Sequence, residues 1–314
     1  MPHTDFHAAL PGTTLPDTGQ AGHAGCGLCA LRSRRLFTGL LATGGALALA
    51  GPARAQDVGV RGEVGSNSRW AGLVPAEQFE AGAAQQYQQM LRSAAQQRAL
   101  AGADHPQLVR LRAIADRIVP HATAWNDRAP KWKWEVNLLT SAELNAFCMP
   151  GGKIAFYLGI LKKLQLNDDE VAAIMGHEVA HALREHARER AAKTAATRIG
   201  AGLFSAVLGL GTLGDAAVNA GGQLLTLKFS RGDETEADVV GMDLSARAGY
   251  DPAAGVSLWQ KMMAASQGAP PQWMSTHPSS STRIKEIQAK LPKVKPLYDK
   301  APRPARKFAP PEAA

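Results

Sequence analysis

Two histidines four positions apart place the strongest constraint on this chain. His177, Glu178 and His181 form the pattern H-E-x-x-H inside a run whose apolar residues repeat at helical spacing. Residues i and i+4 share one face of an α-helix, so both imidazoles can bind the same Zn²⁺. Glu178 can then reach the attacking water without displacing a ligand. The pattern predicts the metal site of a zinc peptidase.

Zinc bound by two histidines still needs a third protein ligand. A second predicted helix, which begins near Asp233, carries Glu234 and Asp238 four residues apart on one side. A glutamate supplied by a second helix is the gluzincin arrangement. The metzincin arrangement would need glycine and histidine where this chain has Arg184 and Ala187, so it is excluded.

Further motifs surround the two helices. They are N-A-F-C-M-P-G-G (145–152), S-R-x-x-E-x-E-A-D-x-x-G (230–241), A-G-Y-D-P (248–252) and T-H-P-S-S-S-T-R-I (276–284). With these motifs the chain resembles, over residues 75–291, the HtpX-type and BepA-like gluzincin zinc metallopeptidases of peptidase family M 48. The resemblance implies a zinc-dependent endopeptidase with one zinc ion per chain.

Carried over by position, the resemblance assigns His177, His181 and Glu234 as the zinc ligands. It assigns Glu178 as the general base that deprotonates the attacking water. Asp238 matches an aspartate proposed as a proton donor or as the partner of a ligating histidine, and we expect it to be catalytic.

Four other side chains are candidates for supporting roles. Glu236 competes as third ligand but points roughly 200° away from Glu234 around the helix. His277 lies in the segment that similar proteins place over the zinc. Three roles stay open for it: a removable fourth ligand, a donor to the oxyanion, or packing. Arg283 either pairs with an acid near the site or lies at the surface, and His186 is expected to be structural.

The pattern of apolar residues predicts a predominantly helical α+β fold with a small β-element beside the zinc helix, the predicted helix that carries His177 and His181. The segment that contains Asn145, Gly151 and Gly152 is expected to offer a strand edge on which an extended substrate pairs through its main chain. Strands that merely cover the zinc helix are the alternative. An uncharged stretch at 199–214 predicts a helical hairpin that is buried or lies against a membrane.

The first 55 residues are interpreted as an N-terminal extension and signal peptide. Arg34 and Arg35 precede a weakly apolar run that ends in A-R-A at Ala55, which resembles a twin-arginine (Tat) signal. A Sec signal is the alternative. The run is too short for a membrane span, which needs about 20 apolar residues. We expect cleavage near Ala55 and a periplasmic protein, with residues 56–74 as a linker.

Three cysteines bear on this interpretation. Cys26 and Cys29 form a C-x-x-C pair in the part that is expected to be removed. Cys148 alone would remain, so no intramolecular disulfide is expected.

The net charge of +8 does not indicate nucleic-acid binding, because much of the excess lies near the chain ends. Residues 292–314 are rich in proline and basic residues and predict a disordered tail, with peripheral contact to a membrane as an alternative. Expected partners are unfolded or misfolded envelope proteins and outer-membrane assembly machinery.

The predicted function is protein quality control by proteolysis. A zinc-stabilised binding protein or chaperone with a capped site is the alternative. A membrane-embedded prenyl-protein protease is disfavoured by the missing spans.

Overall fold

The computed structural model describes residues 59–199, 228–266, 272–277 and 281–312. The predicted signal peptide and most of the predicted hairpin at 199–214 lie outside these ranges. Among the residues described, none of the helices combines the length and apolarity needed to cross a bilayer.

The described residues form a helical body with one small sheet. The helices are α1 (Ala76–Gln96), α2 (Pro106–Ile118), α3 (Leu158–Lys163), α4 (Asp168–Leu183), α5 (His186–Ile199), α6 (Arg231–Arg247), α7 (Ala254–Ala265), α8 (Gln272–Thr276) and α9 (Ser281–Lys300). The strands are β1 (Glu135–Leu139), β2 (Ala146–Met149) and β3 (Lys153–Tyr157). The predicted α+β fold, mostly helical with a small β-element, is confirmed.

The sheet leaves one edge strand beside the zinc helix. The strand order is β1-β3-β2, with β3 parallel to β1 and antiparallel to β2. Residues 99–101 cover the outer edge of β1, where Ala101 N donates to Leu138 O at 3.0 Å. Strand β2 packs against α4 and pairs with no further strand among the described residues. The edge next to the H-E-x-x-H helix is therefore β2.

Helix α4 carries the histidines and is almost wholly buried. Its start is fixed by a capping box, in which the Asn167 side chain accepts from Glu170 N and the Glu170 carboxylate accepts from Asn167 N, each at 2.9 Å. Buried Arg110 ties this start to α2, because its Nε donates to Asp168 Oδ1 at 2.7 Å. The capping box and Arg110 fix where α4 begins, and its buried apolar residues fix which face points into the core. Together they set the positions of the two histidines.

Two glycines allow α4 and α6 to cross closely. A Cβ on Gly241 would lie 2.7 Å from His177 N, and one on Gly176 would lie 2.7 Å from Gly241 O. Real Cβ atoms do not approach backbone this closely, so only glycine fits at either position. The close crossing brings the first turn of α6, which carries Glu234, next to the histidines of α4.

Gly241→Ala is expected to destabilise the protein by about 1–3 kcal/mol, because the added methyl group pushes backbone against backbone. Zinc affinity should fall with it, since Glu234 moves away from His177. Urea unfolding of the metal-free chain measures the first effect and chelator competition the second. Gly255→Ala in α7 is the matched control, because its Cβ meets nothing closer than 3.7 Å. Equal stability of both variants would contradict the crossing argument.

The linker predicted for residues 56–74 is corrected for residues 59–74, which pack against the helical body. Val60 is fully buried in the main core. Arg184 Nη2 donates to Gly65 O at 2.6 Å, and Arg188 Nε donates to Ala71 O at 2.7 Å. The composition of the segment suggested a free linker, but its carbonyls accept hydrogen bonds from Arg184, at the end of α4, and from Arg188 in α5.

The disordered tail predicted for residues 292–314 is also wrong for residues 292–312. Helix α9 continues to Lys300, and Val294 and Leu297 are buried in the core. Beyond the helix, Phe308 N donates to Asp168 Oδ2 at 2.9 Å. The two buried apolar residues lie three apart on one helix face, and this spacing outweighs the proline-rich composition.

Candidate metal centre

Four potential ligands converge between α4, α6 and the segment after α8. His177 and His181 come from α4, Glu234 from the first turn of α6, and His277 from just beyond α8. One donor atom from each lies within 4.8 Å of all the others. All four residues are at most 4% exposed.

The spacing of these donor atoms fits a tetrahedral metal ion. Ligand atoms roughly 2.0–2.1 Å from a tetrahedral zinc lie about 3.3–3.4 Å from one another. His177 Nε2 lies 3.1 Å from His181 Nε2 and 3.3 Å from His277 Nδ1. Glu234 Oε1 lies 3.5 Å from His181 Nε2 and 2.9 Å from His277 Nδ1. The donor set of histidines and one carboxylate is also one that zinc prefers.

Burial and charge set the protonation of this cluster. Burial lowers the pKa of His181 well below its usual value and so favours the neutral imidazole that binds metals. Burial alone would raise the pKa of Glu234, but the neighbouring His277 and His181 outweigh it and lower the pKa. Both effects favour the protonation states that ligation requires.

Glu178 is held beside the cluster by a residue that the sequence did not predict. Trp273 Nε1 donates to Glu178 Oε1 at 2.6 Å. Trp273 is fully buried, its ring stacks on Trp259 with centroids 4.9 Å apart, and its backbone N–H donates to Leu144 O at 3.1 Å. No pattern in the sequence singles Trp273 out, apart from its place four residues before His277.

Asp238 lies on the far side of His177 from the donor cluster. Its Oδ1 is 3.1 Å from His177 Nδ1, and Arg283 Nη2 donates to the same oxygen at 2.8 Å. Burial alone would raise the pKa of Asp238, but Arg283 and His177 outweigh it and lower the pKa. Of the two roles predicted for Asp238, this position favours the partner that orients His177 over the proton donor.

Arg283 is a buried partner of the site and does not lie at the surface. Its Nη1 donates to Glu234 Oε2 at 2.6 Å, and its guanidinium lies 3.7 Å above the Trp259 ring. Arg283 also bonds Asp238, so it links the Glu234 carboxylate of the donor cluster to the Asp238 carboxylate behind His177. Of the two roles open for Arg283, the structure supports the pairing role.

His186, which was expected to be structural, contacts His181 of the donor cluster. Its Nδ1 lies 2.9 Å from His181 Nδ1. On an unbroken helix these residues would point away from each other, but α4 ends at Leu183 and Glu185 takes φ +60°. Glu236 lies outside the donor cluster and pairs with Arg184.

A groove runs between β2 and the zinc helix and ends at Glu178 and His181. It has about 550 Å³ of free volume, including its open mouth. Residues 145–150 form one wall, and small or apolar side chains close the other: Ala182, Ala187 and Phe229.

Only one of the three residues predicted for the substrate edge lines this groove, namely Asn145. Gly151 and Gly152 form the turn between β2 and β3, with φ of +81° and +77°. A Cβ on Gly152 would also lie 2.7 Å from Trp134. These glycines shape the hairpin and do not contact the groove.

Comparison with known proteins agrees with this geometry. The sequence profile of Peptidase family M48 matches residues 81–291, and the chain belongs to this family.

Similar proteins include mitochondrial metalloendopeptidases OMA1 and a bacterial protease. The OMA1 of Schizosaccharomyces pombe is 40% identical over 51% of this chain and 47% of its own length. The OMA1 of Arabidopsis thaliana is 36% identical over 48% of this chain and 30% of its own length. The beta-barrel assembly-enhancing protease of Yersinia pestis is 28% identical over 51% of this chain and 35% of its own length. The matched region spans less than two thirds of each of these relatives.

The comparisons overturn the predicted location. Relatives at 40% and 36% identity are mitochondrial proteins, whereas the Yersinia pestis protease is 28% identical. The prediction of a periplasmic protein, based on residues 1–55, is therefore wrong.

Proposed function

We propose that this chain is a zinc-dependent endopeptidase. One observation carries the proposal: two histidines of α4 and a glutamate of α6 converge at ligand spacing, with the carboxylate of Glu178 beside them. His177, His181 and Glu234 would hold one zinc ion per chain. When bound, zinc polarises the scissile carbonyl and lowers the pKa of a water toward about 7.

Glu178 carries out the proton transfer, and Trp273 and Asp238 hold the reacting groups in place. Glu178 takes a proton from the attacking water and passes it toward the leaving amine. The Trp273 indole fixes one oxygen of that carboxylate and leaves the other to accept the proton. Asp238 accepts from His177 Nδ1 and so directs Nε2 toward the cluster.

The proposed substrate is an extended stretch of polypeptide. The edge of β2 offers main-chain donors and acceptors along the groove, where a peptide can add as a further strand. Extended segments are available in unfolded or misfolded proteins, which we propose as the substrates. A link to outer-membrane assembly machinery rests on the printed name of the Yersinia pestis relative.

One observation favours a second function, a zinc-stabilised binding protein or chaperone with a capped site. Trp273 and His277 bury the cluster, and His277 Nδ1 takes the place of a fourth ligand. A site that stayed in this state would bind zinc without admitting a substrate.

Zinc content and proteolysis of the full chain test the two functions together. We expect zinc to copurify with the chain, casein to be cleaved, a chelator to abolish cleavage, and added zinc to restore it. Bound zinc with no cleavage under any condition would favour the binding role. Cleavage that resists the chelator would contradict a metal mechanism.

His277→Ala is expected to raise the rate of casein cleavage about tenfold or more, since a factor of ten corresponds to only about 1.4 kcal/mol of closed-state preference. The fourth donor is removed, while His177, His181 and Glu234 remain. The measurement is kcat/KM at saturating zinc. His121→Ala is the control, because it removes a half-buried histidine outside the metal cluster. A large loss of activity would instead assign His277 to oxyanion stabilisation.

A further inference from the structure

The two histidine ligands of the proposed zinc site have different partners behind them. His177 Nδ1 faces a carboxylate oxygen of Asp238 at 3.1 Å. His181 Nδ1 faces another imidazole, His186 Nδ1, at 2.9 Å. Both contacts are buried, and only the second depends on the break in the helix at Glu185.

Binding of the proposed zinc fixes where the protons of the second pair must lie. His181 turns Nε2 toward the donor cluster, 3.1 Å from His177 Nε2, and to offer the lone pair of Nε2 to a metal it must carry its hydrogen on Nδ1. A hydrogen bond at 2.9 Å then requires His186 Nδ1 to accept. Neutral His186 consequently carries its own hydrogen on Nε2, which makes no direct hydrogen bond among the residues described and lies 3.5 Å from Glu236 Oε2, so that the link between these two side chains is electrostatic.

Glu236 is itself held in place. Arg184 Nε donates to its Oε1, and Arg184 Nη2 donates to the Gly65 carbonyl at 2.6 Å. The N-terminal segment of residues 59–74, the end of the zinc helix and α6 therefore meet at one arginine. The chain of contacts runs from Gly65 through Arg184, Glu236 and His186 to His181.

We propose that His186 and Glu236 are positioning residues that hold His181 in the Nδ1–H tautomer, with Nε2 presented to the metal. Neither residue touches substrate or metal. The relay formed by Glu236 and His186 orients the ring of His181, as Asp238 orients the ring of His177. The atom that accepts from the ligand is here a neutral imidazole nitrogen in place of a carboxylate oxygen. The proposal rests on the proposed zinc site, but it concerns metal binding and not cleavage.

Zinc affinity of the full chain, measured by competition with a chromophoric chelator, tests the relay. His186→Leu should weaken zinc binding roughly 10–100-fold, as loss of a partner behind a ligand does. His186→Asn should stay within about threefold of the wild type, because its Oδ1 occupies the place of Nδ1 and still accepts. Glu236→Ala should also weaken zinc binding, by a smaller factor than His186→Leu. Because the Glu236 side chain is partly exposed, this variant is expected to fold.

Cobalt-loaded protein gives a second measurement that does not depend on activity. The visible absorption of bound Co²⁺ should change in His186→Leu and return in His186→Asn. His121→Leu is the matched control for losing a histidine elsewhere.

Two results would overturn the relay. One is zinc affinity of His186→Leu within about threefold of the wild type, and the other is equal losses in the Leu and Asn variants, which would indicate packing alone. If His186→Leu fails to fold, an unchanged affinity in Glu236→Ala overturns it. A wild-type chain that binds zinc tightly but cleaves nothing would refute the proposed function and leave the relay standing.

Discussion

Glu178→Gln is expected to lower kcat/KM for casein cleavage by about 10²–10⁴-fold, the contribution typical of a general base. Zinc content should stay unchanged, because His177, His181 and Glu234 are untouched. Glutamine cannot take up the proton of the attacking water, yet it has the shape of glutamate. Its carbonyl oxygen can still accept from Trp273 Nε1, so the segment over the site should keep its position.

Thermal unfolding distinguishes a loss of catalysis from a loss of folding in this variant. Thermal unfolding with and without zinc should match the wild type, since one buried acceptor replaces another at the same place. Glu143→Gln, an exposed change in the loop before β2, is the matched control and should leave cleavage unaffected. Cleavage retained by Glu178→Gln would refute the proposed role, whereas lost zinc would make the variant a structural defect.

Local spacing allowed much of the site and fold to be predicted from the sequence. The i, i+4 histidines and the acidic pair of the second helix need only helical geometry to be placed on defined faces. Asn167 and Glu170 fix the start of the zinc helix through a capping box, whose two members are only three residues apart. The small β-element could likewise be placed, because strands around a Pro-Gly-Gly turn are a short-range signal.

The rest depends on contacts that spacing does not encode. His186 reaches His181 only because Glu185 adopts a left-handed conformation, which a residue other than glycine rarely takes. Trp273 meets Glu178 across 95 positions of the chain, so no local pattern could pair them. Composition misled at both ends of the described region, where a few buried apolar residues, among them Val60 and Leu297, anchor segments whose composition suggested disorder.

The buried Arg283 offers the second large effect. Arg283→Met should lower the free energy of unfolding of the zinc-free protein by about 3–5 kcal/mol, because it leaves the buried carboxylates of Glu234 and Asp238 without their cation. Burial alone would lower the pKa of Arg283, but these two carboxylates outweigh it and raise the pKa. Methionine keeps an apolar stem against the Trp259 ring, so the lost charge and its hydrogen bonds dominate.

Zinc should reduce this loss, since it supplies positive charge beside Glu234 once bound. The expected signature is a larger gain in stability from added zinc in Arg283→Met than in the wild type, measured by urea unfolding with chelator or with zinc. Arg112→Met, at an exposed arginine, should change neither value. Adding Asp238→Asn to the variant should recover part of the loss, because one of the unpaired charges is removed. An equal loss with and without zinc would show that Arg283 acts through packing, and the electrostatic link between the cluster and Asp238 would have to be abandoned.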